Sequence, residues 1–539
     1  MIFASIFLIF IYLSIKGYSY FFINLSSRNI QIYDILYGLY FLIFISLLLN
    51  FFFSLQIFSY YIIFIGIILF FYLGYKKDLK YLYYLVFITV ALVFSMSSNQ
   101  ANYDTMLYHH QLVNWPFLNK IPINFVIADI RLGMVSPWQL FLSLFNFKLF
   151  NYQVSILINF IPYLFLFLIA INSINIQKKS FSDYFIIVST FFILVFSIIH
   201  PFGNGIIMMH IGSLETDSIA MIFFILSFFF FLKFYENKKE KKYFDYLLIC
   251  VILTIFCRFS YLPVFILPIF ILFIEKHFRK NKIIILFSIF VFSLWIIRNL
   301  LVTGCLVFPI NQLCLGFDQF IETNKVENYL LTIKSFARSA PERLYFQDHL
   351  ATINSLKWFK PWFFGYFLKT SLIQISLITS FISLLIIYYL KKNNNLKTKN
   401  SYIIHISLII CFLIWLQAPD IRFLLGFFIL LPSYLFSICI IKSKIILSRN
   451  FLINTFLVII IMLTIKNFQN YKFVSLFKYF ERDYDYSELK IIKKEQAYTI
   501  FKSSQNNGFC YDRYGICIDK DKVEFDIINH KGWNYFKKK

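Results

Sequence analysis

Runs of about 20 consecutive, mostly apolar residues recur along this chain, and that feature constrains the fold before any other. A helix of that length crosses the hydrocarbon core of a bilayer while satisfying its own backbone hydrogen bonds, so each run is a candidate membrane-spanning helix. The candidates are roughly 2–24, 35–53, 57–75, 81–97, 152–173, 183–200, 217–235, 244–258, 261–275, 283–300, 370–390, 402–418, 421–441 and 451–469, or about fourteen. The first lacks a basic leading region and a small-residue cleavage site, so we expect a retained helix rather than a leader peptide. Composition agrees, because 60% hydrophobic and 14% charged residues over 539 positions leave more apolar surface than a water-soluble core can hide. The expected fold class is an all-α polytopic membrane protein.

The basic residues set the expected orientation. A net charge of +24 invites a nucleic-acid reading, but the cations sit in short segments between spans, which speaks for topology and lipid headgroups and against nucleic acid. Lys76–Lys80, Lys178–Lys179, Lys233–Lys242, Lys276–Lys282, Lys391–Lys399 and Lys442–Arg449 fall at every second connection. Under the positive-inside rule those six face the cytoplasm. The expected outer parts are then 98–151, 201–216, 301–369, 419–420 and the tail from about 470, which divides the chain into 1–97, 98–151, 152–300, 301–369, 370–469 and 470–539.

Cysteines follow the same division. Cys250, Cys257, Cys411 and Cys439 lie in spans and read as small buried hydrophobes. Cys305 and Cys314, and Cys510 and Cys517 in the run CYDRYGIC, lie in expected outer segments where thiols oxidise, and we expect a Cys510–Cys517 disulfide. No Walker loop, GxGxxG or HExxH motif occurs.

Ser98–Trp138 is the polar interval in this apolar chain, and it concentrates Asp104, His109, His110, Asp129 and Arg131. We expect a short helix over Asn102–Asn114, stopped by Pro116. At helical spacing Asp104, Tyr108, Gln111 and Trp115 share one stripe, a polar wall suited to a sugar or phosphate, and His109 and His110 point away from it. The rival reading makes Asp104 a first-turn dipole partner and Trp115 an interfacial anchor. Arg131 either pairs with Asp129 or faces an anionic ligand. Gly133 and Pro137 suggest a turn before the helix resumes.

Arg258, Arg298 and Arg422 each stand at the outer end of a span, where a guanidinium binds phosphate with paired hydrogen bonds. Snorkelling to headgroups, or an Asp420–Arg422 salt bridge, is the structural alternative. Glu215 and Asp217 open a span and either cap it or form a second acidic site. The 301–369 segment carries Arg338, Glu342, Arg343, Asp348, His349, Trp358, Lys360 and Trp362, and its run KWFKPWFFG reads as a stretch on the membrane surface, either lid or anchor.

YDTMLYHHQLVNW followed by RLGMVSPW resembles the first outer loop of bacterial multi-spanning proteins related to the GT-C glycosyltransferase superfamily, which includes protein mannosyltransferases and lipid A aminoarabinose transferases. SLETDS at 213–218, RFSYLP at 258–263, WIIRNLLVTGCLVFP at 295–309, APDIRF at 418–423 and the cysteine-bearing tail extend the likeness over most of the chain. It departs at IPINFVIADI, 121–130, where a Gly- and Asn-containing turn is expected.

The resemblance implies a GT-C-like bundle of about 12–14 spans with a helical first outer loop and a small outer C-terminal segment. It implies an inverting transferase in the cytoplasmic membrane, with its site on the extracytoplasmic face. The donor would be a polyprenyl-phosphate-linked sugar, and the acceptor a glycan, lipid or protein. Asp104 would be the catalytic base. Tyr108, His109, Gln111, Arg131, Arg258, Arg298 and Arg422 would bind substrate, and Glu215 and Asp217 would orient the acceptor or hold a divalent cation such as Mg or Mn. Two other classes stand beside this one: a polysaccharide polymerase or ligase using lipid-linked donors, and a transporter or flippase. Charge-poor span centres count against the transporter.

Overall fold

A computed structural model describes residues 2–25, 32–96, 104–134, 136–149, 152–198, 213–237, 240–274, 282–316, 320–339, 356–390, 401–445, 447–470, 489–494, 499–503, 516–518, 525–530 and 533–538. All fourteen expected segments are helical over most of their length. Among the described residues nine helices are long and apolar enough to cross a membrane, and shorter apolar helices lie at Ser59–Leu73, Leu82–Ser95, Phe259–Ile274 and Tyr402–Trp415. The chain is a multi-pass helical membrane protein.

Small residues decide how closely these helices approach. A Cβ on Gly17 would stand 1.9 Å from the Gly66 carbonyl oxygen, and one on Gly38 would stand 2.0 Å from that of Ile15. Glycine therefore lets the Ile2–Leu25 helix press backbone to backbone against Ser59–Leu73 and Ile35–Phe52. Several serines inside the spans donate back to the carbonyl four residues earlier, as Ser227 does to Phe223 and Ser433 to Ile429, which satisfies those hydroxyls in an apolar setting.

Asp217–Glu236 and Lys241–Cys257 pair as an antiparallel helical hairpin at the centre of the bundle. By contrast, only 33%, 28% and 17% of the apolar windows in Lys282–Thr303, Ser371–Leu390 and Arg449–Lys466 are buried, which puts those helices on the periphery facing lipid. Some charges inside the bundle find polar partners, as bilayer energetics favour. Lys233 Nζ lies 2.9 Å from Asp183, and the Tyr37 hydroxyl donates to Asp245 at 3.0 Å.

Helix polarity separates two kinds of end. Asp217 opens a helix that carries Lys233 in its last turn, Arg258 follows a helix that begins at Lys241, and Arg422 precedes one that finishes at Lys442. Candidate site charges thus occupy one end of these helices and lysines the other.

The all-α expectation holds for the membrane part, and the tail adds a few short strands to it. Leu489–Lys494, Thr499–Ser503 and Ile516–Ile518 form a three-stranded sheet, and Phe525–His530 pairs antiparallel with Trp533–Lys538. The hairpin docks on the 98–151 segment: Ile123 N donates to the Asn534 carbonyl (2.9 Å) and Phe536 N to that of Ile123 (3.0 Å). Phe536 packs against Trp115 and Phe125. Cys305 and Cys314 are joined as a disulfide, whereas Cys510, and with it the expected Cys510–Cys517 bond, lies outside the described residues. Cys250, Cys257, Cys411 and Cys439 are free and buried.

Candidate functional site

The polar segment that follows the fourth span is helical but not regular. Thr105–His109 form a π-helical turn that leads directly into the His110–Leu118 helix. Widening one turn adds a residue to it and rotates everything beyond, so Asp104 comes into line with His109 rather than with Tyr108 alone. Here the stripe drawn from regular helical spacing fails. His109 does not point away: its ring lies 4.3 Å from that of Tyr108, and both feel the Asp104 charge. Gln111 turns back on its own helix and donates to the Leu107 carbonyl at 3.2 Å. Trp115 is buried against Phe125 and is no interfacial anchor. Nor does Pro116 stop the helix, which runs on to Leu118, while the Pro116 carbonyl accepts from Asn50 Nδ2 at 3.2 Å.

Segments far apart in sequence complete the cluster. Arg422 Nη1 lies 2.9 Å from Asp104 Oδ2, across 318 residues of chain. Asp420 caps the turn carrying Arg422, accepting from its backbone N–H at 3.1 Å and standing 3.5 Å from its Nε. Two indoles fix that turn: Trp415 Nε1 donates to the Asp420 carbonyl (2.6 Å) and Trp362 Nε1 to that of Pro419 (3.1 Å). Trp362 is therefore a buried brace, although the KWFKPWFFG run reads as membrane surface; Phe359 and Phe364 around it are exposed. Opposite, Arg258 Nε lies 2.6 Å from Asp217 Oδ1, and its guanidinium covers the Phe423 ring at 4.4 Å. Phe423 thus separates two arginines, each held by a carboxylate.

The field inside this cluster is strong. His109 is 9% exposed, and burial drives its pKa from 6.5 to about 4, with Glu215 and Asp104 pulling upward and Arg258 and Arg422 downward. Burial, then the Asp104 charge, pushes the Tyr108 phenol well above its ordinary value. Tyr329, on the Thr323–Arg338 helix of the large loop, has its pKa raised by burial and also by Asp129 and Asp104, and its hydroxyl contacts Met134 Sδ at 3.1 Å. Sequence reasoning missed Tyr329. It missed Gln139 too, whose Nε2 sits 2.5 Å from His109 Nδ1.

The structure thus brings together Asp104, Tyr108, His109, Glu215, Asp217, Arg258 and Arg422, and leaves three expected residues outside. Gln111 is spent on its own helix. Arg131 takes the structural alternative, with Nε 2.9 Å from Asp129 Oδ1, and its charge acts on Tyr329 beside the cluster. Arg298 is buried elsewhere, its Nη1 donating to Asn50 Oδ1 at 2.8 Å. Glu342, Arg343, Asp348 and His349 lie outside the described residues.

Among the described residues no three His, Cys, Asp or Glu side chains are grouped to hold a metal ion, and the Asp217 carboxylate is engaged by Arg258. A separate cavity of about 260 Å³ opens at the lysine-bearing end, lined by Phe22, Tyr37, Tyr40, Phe41, Lys241 and Asp245, and takes no part in this cluster.

No curated protein and no solved structure matches the chain. A family model described as a domain of unknown function (DUF8201) matches residues 1–429, and the protein belongs to that family.

Proposed function

We propose that this protein is a membrane glycosyltransferase that moves a sugar from a polyprenyl-phosphate-linked donor to an acceptor hydroxyl on a cell-envelope glycan, lipid or protein. The supporting observation is the pairing of Asp104 with Arg422 beside the Asp217–Arg258 pair. A carboxylate and two cations at the end of apolar helices match a reaction whose base and whose leaving phosphate must lie within one bond network. Ionisable groups placed at such cost in a membrane protein mark function more often than scaffold.

In this reading Arg258 and Arg422 bind the donor phosphate. As Arg422 turns its hydrogen bonds to that phosphate, the Asp104 carboxylate is released from the ion pair toward the acceptor hydroxyl. It then takes the proton of the acceptor hydroxyl while the oxygen attacks the anomeric carbon. The bond from that carbon to the phosphate oxygen breaks, and its electron pair leaves with the lipid phosphate, where the guanidinium groups stabilise the charge. In this reading the cluster works at the extracytoplasmic face of the cytoplasmic membrane, which is supported by the lysines at the opposite helix ends, where the positive-inside rule expects cytoplasm.

The test compares cell-envelope glycans by mass spectrometry with and without the protein. Loss of one sugar from a defined species supports the proposal. Loss of a whole polymer turns it into a polymerase or ligase. Unchanged glycans together with lipid-linked flux in proteoliposomes replace it with a flippase.

A further inference from the structure

We propose that Gln139 fixes His109 as a neutral imidazole with its proton on Nε2, so that His109 serves the site as a hydrogen-bond donor to an uncharged oxygen of the sugar or acceptor. That role rests on the transferase reading; the tautomer does not.

The argument begins with a helix cap. Ser136 and Gln139 close a capping box on the Pro137–Ser143 helix: Gln139 N donates to Ser136 Oγ at 3.1 Å, and Ser136 N donates to Gln139 Oε1 at 3.3 Å. With Oε1 committed to an N–H donor, the amide nitrogen must face the other way, where it meets His109 Nδ1 at 2.5 Å. An amide nitrogen only donates. Nδ1 therefore accepts, and in a neutral ring the proton resides on Nε2. Flipping the amide would set the Ser136 N–H against an NH2 group and break the cap.

Gln139 has little freedom to adapt. It is 1% exposed, and Ser143 Oγ holds its backbone carbonyl at 3.0 Å. A second proton on His109 would need an N–H at Nδ1, against a donor already in place. The charged groups facing the ring are Glu215 and Asp104, which favour the cation, and Arg258 and Arg422, which oppose it. Burial outweighs them all, in agreement with the geometry.

A ring in this state cannot be the base, because its lone pair faces Gln139, and it cannot neutralise a phosphate, because it carries no charge. It offers one N–H to a hydroxyl, ring or glycosidic oxygen. Proton removal is left to a carboxylate, and phosphate binding to the arginines. Gln139 touches no substrate in this scheme and is a positioning residue.

The test uses the full-length protein, 15N-labelled at histidine, in lipid nanodiscs, with the His109 signals assigned by their loss in His109→Gln or His109→Asn. The expected spectrum has a pyridine-like Nδ1 and a pyrrole-like Nε2 from about pH 8 down to about pH 5, where an ordinary imidazole is protonated. Gln139→Glu replaces the donor with an acceptor and should make both nitrogens pyrrole-like at neutral pH. Should that variant not fold, Gln139→Asn withdraws the amide by one carbon and should leave a mixture of tautomers. A pyrrole-like Nδ1 in the wild type, a midpoint near pH 6.5, or a His109 spectrum unchanged by the Gln139 substitution overturns the proposal. These spectra need no turnover, so failure of the transferase reading is seen separately, as absence of transfer by a protein whose His109 has the expected tautomer. Given transfer, Gln139→Glu should lower kcat about tenfold with little change in KM; an unchanged kcat refutes the donor role.

Discussion

Asn50 is the joint between the Ile35–Phe52 helix, the outer-loop helix and the Lys282–Thr303 helix, and replacing it makes a sharp prediction. Its Nδ2 donates to the Pro116 and Asn119 carbonyls at 3.2 and 3.0 Å, and its Oδ1 accepts from Arg298 Nη1 at 2.8 Å. Arg298 is 1% exposed, and among the described residues neither its Nε nor its Nη2 has a hydrogen-bond partner, so Asn50 is the one described partner of a buried guanidinium. Asn50→Leu leaves that charge alone in an apolar setting, at a cost of about 3–5 kcal/mol. Arg298→Met leaves only an amide oxygen without its donor, costing about 1–3 kcal/mol. The double variant carries no stranded charge and loses chiefly two carbonyl contacts, about 2 kcal/mol. The two single losses should therefore exceed the double loss by about 2 kcal/mol or more. Asn50→Leu should be the least stable of the three in denaturant or thermal unfolding in detergent. Additivity within about 0.5 kcal/mol, or a double variant weaker than Asn50→Leu, refutes the idea that Asn50 balances Arg298.

Two further outcomes follow from the same structure. The His109 pKa is lower in the folded protein, about 4, than the ordinary 6.5, so the unfolded chain takes up the proton first. Its contribution is full above about pH 6.5 and is lost as pH falls toward 4, on the order of 3 kcal/mol, and His109→Gln should flatten the acid limb of the stability curve; parallel curves contradict this. Ending the chain after residue 524 removes Phe525 and Phe536, both buried against the outer loop, at about 2 kcal/mol each. Limited proteolysis between 119 and 134 should then accelerate, and equal rates would show that the hairpin does not clamp that loop.

The spans were legible because length and hydropathy are dictated by the bilayer, and a charge within such a sequence stands out. Asp104, Asp217, Arg258 and Arg422 were identified on that ground, and they meet in space. Arg298 could not be separated from them, since it too ends an apolar run; only the structure shows Asn50, 248 positions away, holding it. His109 was set on the wrong face because the π turn at Thr105–His109 breaks the regular period, and nothing in the local sequence announces it. Tyr329 is one of 37 tyrosines, and Gln139 looks like an ordinary helix cap. Trp362 resembled a surface anchor because Trp415, which packs on it, and the Pro419 carbonyl, 57 positions away, belong to a segment distant in the chain. The strands of the tail escaped notice in a stretch where Tyr, Asp and Lys alternate without a clear period.

The most direct test of the central claim is sugar transfer by Asp104→Asn at an expression level matched to the wild type. The substitution keeps the size of the side chain and its contact to Arg422 Nη1 while removing the group that accepts a proton. The account predicts that lipid-linked donor is bound and no product forms. Product at the wild-type rate would contradict it.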